Sequence, residues 1–286
     1  MFDDKAFPLV RREPVAVSLG RVFGGGVVPL GDAADFHNIH FRAVAPSSGP
    51  VFVKVFDDKD YWGRSLAAAE RVESLVRTPR LLDFGPLGPG RWWISYEWLD
   101  LEPFAPTAEN LRRAGAMLGR LHAATVGDTA GFAEHNLDAE IGRRADDLDA
   151  FDPAAADRIR ALHARIGPAD LPGTPVLIHG DFHARNLALD GDVPVLLDLE
   201  NMQAASAIVD FGKLVDLDGL PDEALQDTFF AGYEQHAPPV FPWPAAMATV
   251  RLWTVCGVLA YSCAAGLTGF AAHGYRRLAE LETLGN

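Results

Sequence analysis

The chain has 286 residues, of which 49% are hydrophobic and 22% are charged, and its formal net charge is −14. This composition is that of a globular protein with one large or two modest domains, and it excludes wholesale disorder. The acidic excess also excludes nucleic acid as an expected partner, because binding a phosphate backbone requires a basic surface.

Three elements are predicted in the first hundred residues. Residues 51–56 alternate like a strand, with Lys54 among apolar side chains. A helix is predicted over residues 64–76, and residues 93–99 have the pattern of an aromatic-rich strand that ends in a linker. Taken alone, the first pattern would also fit an edge strand on which Lys54 faces the solvent. The pattern of residues 93–99 would also fit a buried aromatic strand without a linker role.

A loop followed by a hairpin is predicted further along. Residues 175–178 form a short apolar strand that leads into the segment HGDFHARN, residues 179–186. Two β-rich runs follow, separated by a turn signal at residues 190–192. A loop over 191–193 would set Asn186 opposite Asp198, and a two-residue loop would shift the register by one position. Either register places Asn186 and Asp198 side by side at the open end of the hairpin.

These side chains predict phosphoryl transfer from a magnesium nucleotide to a hydroxyl. Asp198 and Asn186 offer the hard oxygen ligands that Mg²⁺ shares with nucleotide phosphates. Asp181, on the same loop, is expected to accept or orient the proton of a substrate hydroxyl. Glu200 would point the same way as Asp198 along a strand and assist the metal or a second one.

The triplet Asp210-Phe211-Gly212 has the letters of the metal-binding motif of protein kinases. It follows the predicted hairpin, however, and lies within a helix-like run at residues 208–217. We therefore assign the metal to Asp198, and we expect Asp210 to brace the catalytic loop or to cap a helix.

These segments resemble the aminoglycoside phosphotransferase and choline kinase superfamily of small-molecule kinases. HGDFHARN looks like its catalytic loop, residues 198–200 like its metal-binding DxE, and residues 117–122 and 229–234 like two of its helices. The resemblance runs in order from about residue 20 to residue 235. In that superfamily an aromatic residue is common at the position of Leu199, and glycine is common at the position of Ser206. These two differences leave the subfamily open.

The resemblance implies an α+β, bilobal protein-kinase-like fold. Residues 1–98 would form a small N-lobe with an antiparallel sheet plus one helix. Residues 99–286 would form a mostly helical C-lobe that carries the catalytic hairpin and the acceptor-binding helices. The implied cofactors are ATP, with GTP as an alternative, and Mg²⁺.

The resemblance also implies a role for Lys54, which would pair with the α- and β-phosphates. Glu70 or Glu73 of the predicted helix would be its partner. We prefer Glu70, because Glu73 shares a helix face with apolar residues.

The remaining nucleotide contacts would come from two segments. The loop that covers the phosphates is expected near residues 31–37, with Asn38 opening the second strand and the glycine triplet at 24–26 as a rival position. Backbone groups of Glu97, Trp98 and Leu99 would hydrogen-bond the adenine edge.

The charge distribution bears on the phosphate acceptor. Residues 1–99 carry 12 acidic and 12 basic residues, whereas residues 100–286 carry 27 and 13, so the whole excess lies in the second part. Such a field suits a cationic acceptor, although acidic surfaces also simply keep proteins soluble. Asp216, Asp218 and Glu223 are the predicted rim of the acceptor pocket.

Our first prediction for the acceptor is therefore an aminoglycoside or another basic antibiotic. Alternatives are a metabolic kinase acting on an amino sugar, an amino alcohol or a homoserine-like acceptor, and a macrolide kinase with an apolar pocket from Phe241, Trp243 and Trp253. A nucleotide-binding pseudokinase is the non-enzyme alternative. The sequence makes no prediction of oligomeric state.

Two further patterns concern the cellular compartment. Cys256 and Cys263 lie seven apart in an apolar helical run, where a disulfide within one helix is geometrically excluded, so reduced thiols are expected. Residues 252–275 lack Asp, Glu, Lys and Arg but contain four glycines, which favours a buried helix pair over a membrane span. Residues 1–5 lack the pattern of a secretory signal, and a cytoplasmic location is predicted.

Overall fold

A computed structural model of the chain describes residues 12–31, 39–216, 223–238 and 244–284. The chain divides into two compact units. We call them the sheet unit, with the described residues of 3–105 and 185–202, and the helical unit, with those of 106–184 and 203–286.

In chain order the elements are α1 (Arg12–Phe23), β1 (Val28–Leu30), β2 (Ile39–Ala45), β3 (Gly49–Phe56), α2 (Lys59–Val72), β4 (Leu81–Gly88), β5 (Arg91–Glu97), β6 (Glu102–Pro103), α3 (Ala108–Ala124), α4 (Leu137–Asp149), α5 (Pro153–Ile166), β7 (Val176–Ile178), β8 (Leu187–Asp190), β9 (Val193–Leu196), β10 (Gln203–Ala205), α6 (Val209–Asp216), α7 (Glu223–Tyr233), α8 (Pro244–Ala264) and α9 (Thr268–Leu284), with short 3-10 helices at Ala184–Asn186 and Leu199–Asn201.

The sheet unit is built on five antiparallel strands in the order β1-β2-β3-β5-β4. Strand β3 lies in the middle, and the register sets Lys54 between His40 of β2 and Ile94 of β5. Lys54 is therefore on a central strand rather than an edge strand, and both neighbouring strands fix its backbone.

Helix α1 is an addition to the single helix predicted for this part of the chain. Its buried side chains Val15, Leu19 and Phe23 are spaced four apart, so they form one apolar stripe. The stripe joins the core of the sheet, where the Phe23 ring meets Trp93 edge-on at 5.2 Å. The stripe consists of only three of the twelve residues, so the helical periodicity of this segment is weak in the sequence.

Helix α2 begins earlier than predicted, because Asp58 caps it. The Asp58 carboxylate accepts hydrogen bonds from the backbone N–H groups of Asp60 and Tyr61, at 2.8 and 3.1 Å. The helix buries one face, made of Ser65, Ala68, Ala69 and Val72.

The predicted hairpin is confirmed as β8 and β9, with the shorter of the two loops. Asp190 pairs with Val193, so the turn consists of Gly191 and Asp192, and Gly191 has a φ of 58°. Strand β6 adds to the other edge of β8. The turn length fixes which residues face each other at the open end.

The helical unit is held by close helix packing and an aromatic core. Helices α3 and α7 approach through glycines, and a Cβ at Gly115 or Gly232 would lie 2.0 Å from the Phe229 or the Arg112 carbonyl oxygen. The large fully buried side chains beside this contact include Phe182, Phe211 and Tyr233. Only glycine allows this backbone approach.

Replacing Gly232 with alanine is expected to destabilise the protein by about 1–3 kcal/mol, because overpacking at a backbone contact forces the helices apart. Gly142→Ala is the matched control, since Gly142 also lies inside a helix but a Cβ there meets nothing within 4 Å. That control should gain roughly 0.5–1 kcal/mol from the lower entropy of the unfolded chain. Denaturant midpoints measure both; equal midpoints would contradict the packing argument.

Helix α8 is long and apolar enough to cross a membrane by length and composition, yet 72% of its residues 246–264 are buried inside the protein. It packs against α4, α5, α6 and α9. The chain leaves the helix after Ala264 and starts α9 at Thr268, so the predicted helix pair is present, but only α8 is largely buried and most of α9 is exposed or half-buried. Cys256 and Cys263 of α8 are both free thiols.

Candidate active site

A cavity of about 440 Å³ opens in the sheet unit, and its lining combines aromatic and charged side chains. Phe52, Tyr96 and Trp98 supply aromatic rings. Lys54 and Asp198 supply charged groups, and we call the part of the lining around them the charged end. A lining of this kind suits a ligand that is itself part aromatic and part anionic.

Lys54 is the centre of the charged end. Its Nζ lies 2.5 Å from Asp198 Oδ1 and 2.5 Å from Glu200 Oε2, and the residue is only 7% exposed. Burial alone would lower the pKa of Lys54, but the two carboxylates outweigh burial and raise the pKa above its ordinary value. The ammonium is therefore charged at every physiological pH.

Asp198 has an unusual backbone. It has φ 60° and ψ 63°, and among the described residues it is the one non-glycine residue with positive φ. Aspartate tolerates this left-handed conformation better than most residues, but the conformation still costs energy and such costs concentrate at functional sites. The turn stops the strand at Leu196 and aims the Asp198 carboxylate at Lys54.

The hairpin register brings Asn186 next to this carboxylate. The N–H of Leu197 donates to the carbonyl oxygen of Asn186 at 3.0 Å, so Asn186 faces Leu197 and neighbours Asp198. Both Asn186 and Asp198 line the cavity. The predicted pairing at the open end of the hairpin is confirmed, with the one-residue shift of the shorter turn.

These oxygen groups fit a magnesium ion that arrives with a nucleotide. Asp198 and Asn186 supply a carboxylate and an amide, which are hard ligands. Among the described residues no group of three or more His, Cys, Asp or Glu side chains forms a metal site.

The predicted position of Glu200 was wrong, although its side chain reaches the charged end. Leu199–Asn201 is a 3-10 helix rather than a strand, because the chain turns at Asp198. Glu200 is 8% exposed and faces Lys54, and its backbone oxygen accepts a hydrogen bond from Arg64 Nε at 3.4 Å.

Glu70 does not reach Lys54 in the structure. Both Glu70 and Glu73 are exposed on α2, whereas the buried face of that helix presents Ser65 to the cavity. The two carboxylates on Lys54 come instead from the end of the hairpin.

Glu97, Trp98 and Leu99, in the segment that ends β5 and continues beyond it, line the cavity. The Glu97 carboxylate accepts hydrogen bonds from Arg77 Nη1 at 2.6 Å and from the Arg80 N–H at 2.9 Å, and Arg77 also pairs with Asp190 at 3.1 Å. The Glu97 N–H itself donates to the Arg80 carbonyl at 2.9 Å. The Arg80 carbonyl therefore occupies the backbone N–H of Glu97 but not the N–H groups of Trp98 and Leu99.

Asp181 lies in the helical unit, where a lysine faces it. Its Oδ1 accepts a short hydrogen bond from Lys213 Nζ of α6 and lies 3.3 Å from His183 Nε2. Burial would raise the pKa of Asp181, but Lys213 and His183 outweigh it and lower the pKa well below its ordinary value. Asp181 is therefore ionised and able to accept a hydrogen bond from a substrate hydroxyl.

Asp210 braces the catalytic loop, as predicted. Its fully buried carboxylate accepts hydrogen bonds from the backbone N–H groups of His179 and Gly180, at 2.7 and 2.8 Å. It also lies 3.1 Å from His122 Nε2, and His122 Nδ1 lies 3.0 Å from the Tyr233 hydroxyl. This network holds the two residues that precede Asp181.

The structure adds residues near Asp181 that the sequence reasoning missed. Lys213 lies three positions after Asp210 on α6, so both project from neighbouring positions of one helix face. Its Nζ lies 5.4 Å from the centroid of the Trp253 ring, and the Arg144 guanidinium lies 4.5 Å from the same ring. The available signal was a lysine three residues after Asp210, in the middle of the short helix α6.

Several predicted residues have no outcome in the structure. Asn38, Asp218, Phe241 and Trp243 lie outside the described residues, and nothing is described of the side chains of Asp216 and Glu223. Their assignments stay predictions.

Comparison with known proteins gives a family and a fold. The family model described as "Phosphotransferase enzyme family" matches residues 29–251. No match to a curated protein was found by sequence comparison.

Three solved structures illustrate the likeness in fold. Aminoglycoside phosphotransferase APH(4)-Ia, in a ternary complex with ADP and hygromycin B, is 14% identical with a TM-score of 0.71, covering 95% of this chain and 99% of that one. Amicoumacin kinase hAmiN, in complex with AMP-PNP, Ca²⁺ and Ami, is 15% identical with a TM-score of 0.66, covering 90% and 88%. A choline/ethanolamine kinase family protein from Mesorhizobium loti is 19% identical with a TM-score of 0.61, covering 96% and 94%. The predicted protein-kinase-like α+β fold is confirmed.

Proposed function

Because the chain belongs to the phosphotransferase enzyme family, we propose that it transfers the γ-phosphate of ATP to a hydroxyl of a small, cationic molecule such as an aminoglycoside. One observation carries the nucleotide part of this proposal. Lys54, Asn186 and Asp198 line one cavity together with the aromatic rings of Phe52, Tyr96 and Trp98, and Lys54 Nζ lies 2.5 Å from Asp198 Oδ1.

In this proposal the sheet unit binds the nucleotide. Lys54 holds the phosphates, and Asp198 and Glu200 keep its ammonium charged and in place. Asn186 and Asp198 hold Mg²⁺, which would neutralise charge on the phosphates. The linker at Trp98 and Leu99 hydrogen-bonds the adenine edge.

The catalytic residue is Asp181. Its carboxylate, ionised beside Lys213, orients the acceptor hydroxyl and takes its proton as the phosphoryl group is transferred. Asp210 acts as a positioning residue, since it holds the backbone on the N-terminal side of Asp181.

Two observations support a cationic acceptor. Residues 100–286 carry the entire net charge of −14, and a field of one sign concentrates ligands of the opposite sign. APH(4)-Ia, which has a similar fold, was solved with ADP and hygromycin B. Asp216, Asp218 and Glu223 remain the proposed rim of the acceptor pocket, and the protein is proposed to act in the cytoplasm.

A homoserine-like acceptor is the second candidate, and the surroundings of Asp181 favour it. The cationic groups of Lys213 and Arg144 both lie against the Trp253 ring, and Lys213 also faces Asp181, the proposed base. They would suit an acceptor that carries a carboxylate beside its hydroxyl.

The proposal is tested by ADP release from the purified protein with magnesium ATP and one acceptor at a time. The panel consists of hygromycin B and other aminoglycosides, a macrolide, choline, amino sugars and homoserine. Stimulation by an aminoglycoside supports the cationic acceptor, and stimulation by homoserine alone selects the second candidate. Tight ATP binding without turnover on any acceptor would favour the pseudokinase alternative.

A further inference from the structure

Ser65 is a buried hydroxyl in the nucleotide cavity that has no role in the proposal above. It lies on the buried face of α2, is 3% exposed and lines the cavity with Lys54 and Asp198. Its Oγ has no hydrogen-bond partner among the described residues. A buried hydroxyl without a partner is costly, so such a group in a cavity wall points to a ligand.

The missing bond is notable because a helical serine can satisfy itself. Serine and threonine in helices commonly donate to the carbonyl oxygen four residues earlier. Ser18, Thr228 and Thr254 make this bond in the present structure, at 3.0, 2.8 and 3.0 Å. Ser65 does not make it, and its hydroxyl remains available to the cavity.

Neighbouring contacts place Ser65 at the charged end. The preceding residue, Arg64, donates to the backbone oxygen of Glu200, and the Glu200 carboxylate lies on Lys54 Nζ. Helix α2 packs against the 3-10 helix Leu199–Asn201 along this contact. Ser65 thus lies beside the contact between α2 and residues 199–201, where the proposed function places the phosphates.

We propose that the Ser65 hydroxyl is a nucleotide-binding group that donates a hydrogen bond to the phosphate chain. This inference rests on the proposed function, since it assumes that the cavity holds a nucleotide. A phosphate oxygen is an acceptor that the bound ligand would bring. A carboxylate on this face of α2 would repel the phosphates, whereas a hydroxyl adds a donor without charge.

The test is the affinity of Ser65→Ala for ADP, AMP-PNP and adenosine, measured by titration calorimetry with Mg²⁺ and without an acceptor. Loss of one hydrogen bond to a charged group should weaken ADP and AMP-PNP on the order of 10-fold. Adenosine affinity should not change, because adenosine lacks phosphates. The apo protein should melt no lower than the wild type, since alanine removes a buried polar group that had no partner.

Ser95→Ala is the matched control. Ser95 is also a buried serine of the sheet unit, but its hydroxyl donates to the Asp83 carbonyl at 3.1 Å. This variant should lose stability and keep its affinity for all three ligands.

Two results would overturn the assignment of Ser65. One is an unchanged ADP affinity in Ser65→Ala, and the other is an equal loss for adenosine, which would place the hydroxyl on the nucleoside. A wild-type protein that binds neither ADP nor AMP-PNP would instead refute the nucleotide site and the proposed function with it.

Discussion

Asp181→Asn is expected to reduce phosphoryl transfer about 10²–10⁴-fold, which is the usual contribution of a general base. Asparagine keeps the shape of the side chain but cannot take the proton of the acceptor hydroxyl. Asp181 does not line the nucleotide cavity, so the affinity for ADP should stay at the wild-type value. Steady-state turnover with the identified acceptor and calorimetric ADP binding measure the two effects.

The same substitution also removes the partner of Lys213. A partly buried lysine that loses its carboxylate destabilises the fold, so Asp181→Asn should melt below the wild type. Adding Lys213→Met removes the unpaired charge and should recover stability without recovering activity. This double variant separates loss of the base from loss of the fold.

Asp146→Asn is the surface control for the helical unit. Asp146 is 76% exposed and pairs with Arg160, so its loss should leave turnover and melting unchanged. Wild-type turnover in Asp181→Asn would show that this carboxylate is not the base.

Asp198→Asn is expected to reduce turnover by at least about 100-fold, because a metal ligand contributes several kcal/mol to the transition state. Asparagine is chosen because it tolerates the left-handed backbone at φ 60°, which alanine would strain further. Lys54 keeps Glu200 as a counter-ion, so the fold should persist. Turnover at increasing Mg²⁺ concentration, with the melting temperature as a check, measures the effect.

Asp190→Asn provides the control within the same hairpin. Asp190 is exposed at the turn and pairs with Arg77, and this surface pair should matter little. If Asp198→Asn and Asp190→Asn had the same Mg²⁺ dependence and the same rate, the assignment of Asp198 as a metal ligand would fail.

The hairpin and the catalytic loop could be predicted from local patterns of the sequence, because they depend on residues close together in the chain, such as a turn signal between two β-rich runs. The bracing role of Asp210 was predicted from its position after the hairpin, and its contacts to His179 and Gly180 span 31 and 30 residues. The turn length was open by one residue, and the structure selected Gly191-Asp192. Both turn lengths place Asn186 and Asp198 together, so the open turn length did not affect the prediction that they are neighbours.

The partner of Lys54 could not be predicted in this way. It depends on which face of α2 turns inward, and a helix offers several candidate positions around its axis. The preference for Glu70 over Glu73 was a choice between two residues that both proved exposed. Ser65, five residues before Glu70 and eight before Glu73, occupies the inward position.

The sequence by itself determined the phosphotransferase family through the resemblance of its motifs, and that resemblance implied the antiparallel sheet followed by helices. Asp181, Asn186 and Asp198 were identified as the chemical candidates because short-range spacing places them on one loop and hairpin. The tertiary structure alone decided that Asp198 and Glu200 both meet Lys54, that Lys213 faces Asp181, and that Ser65 lines the cavity. Lys54 and Asp198 are 144 residues apart. Such contacts depend on how strands and helices pack and on where a strained turn ends a strand, and no local pattern in the chain encodes that packing.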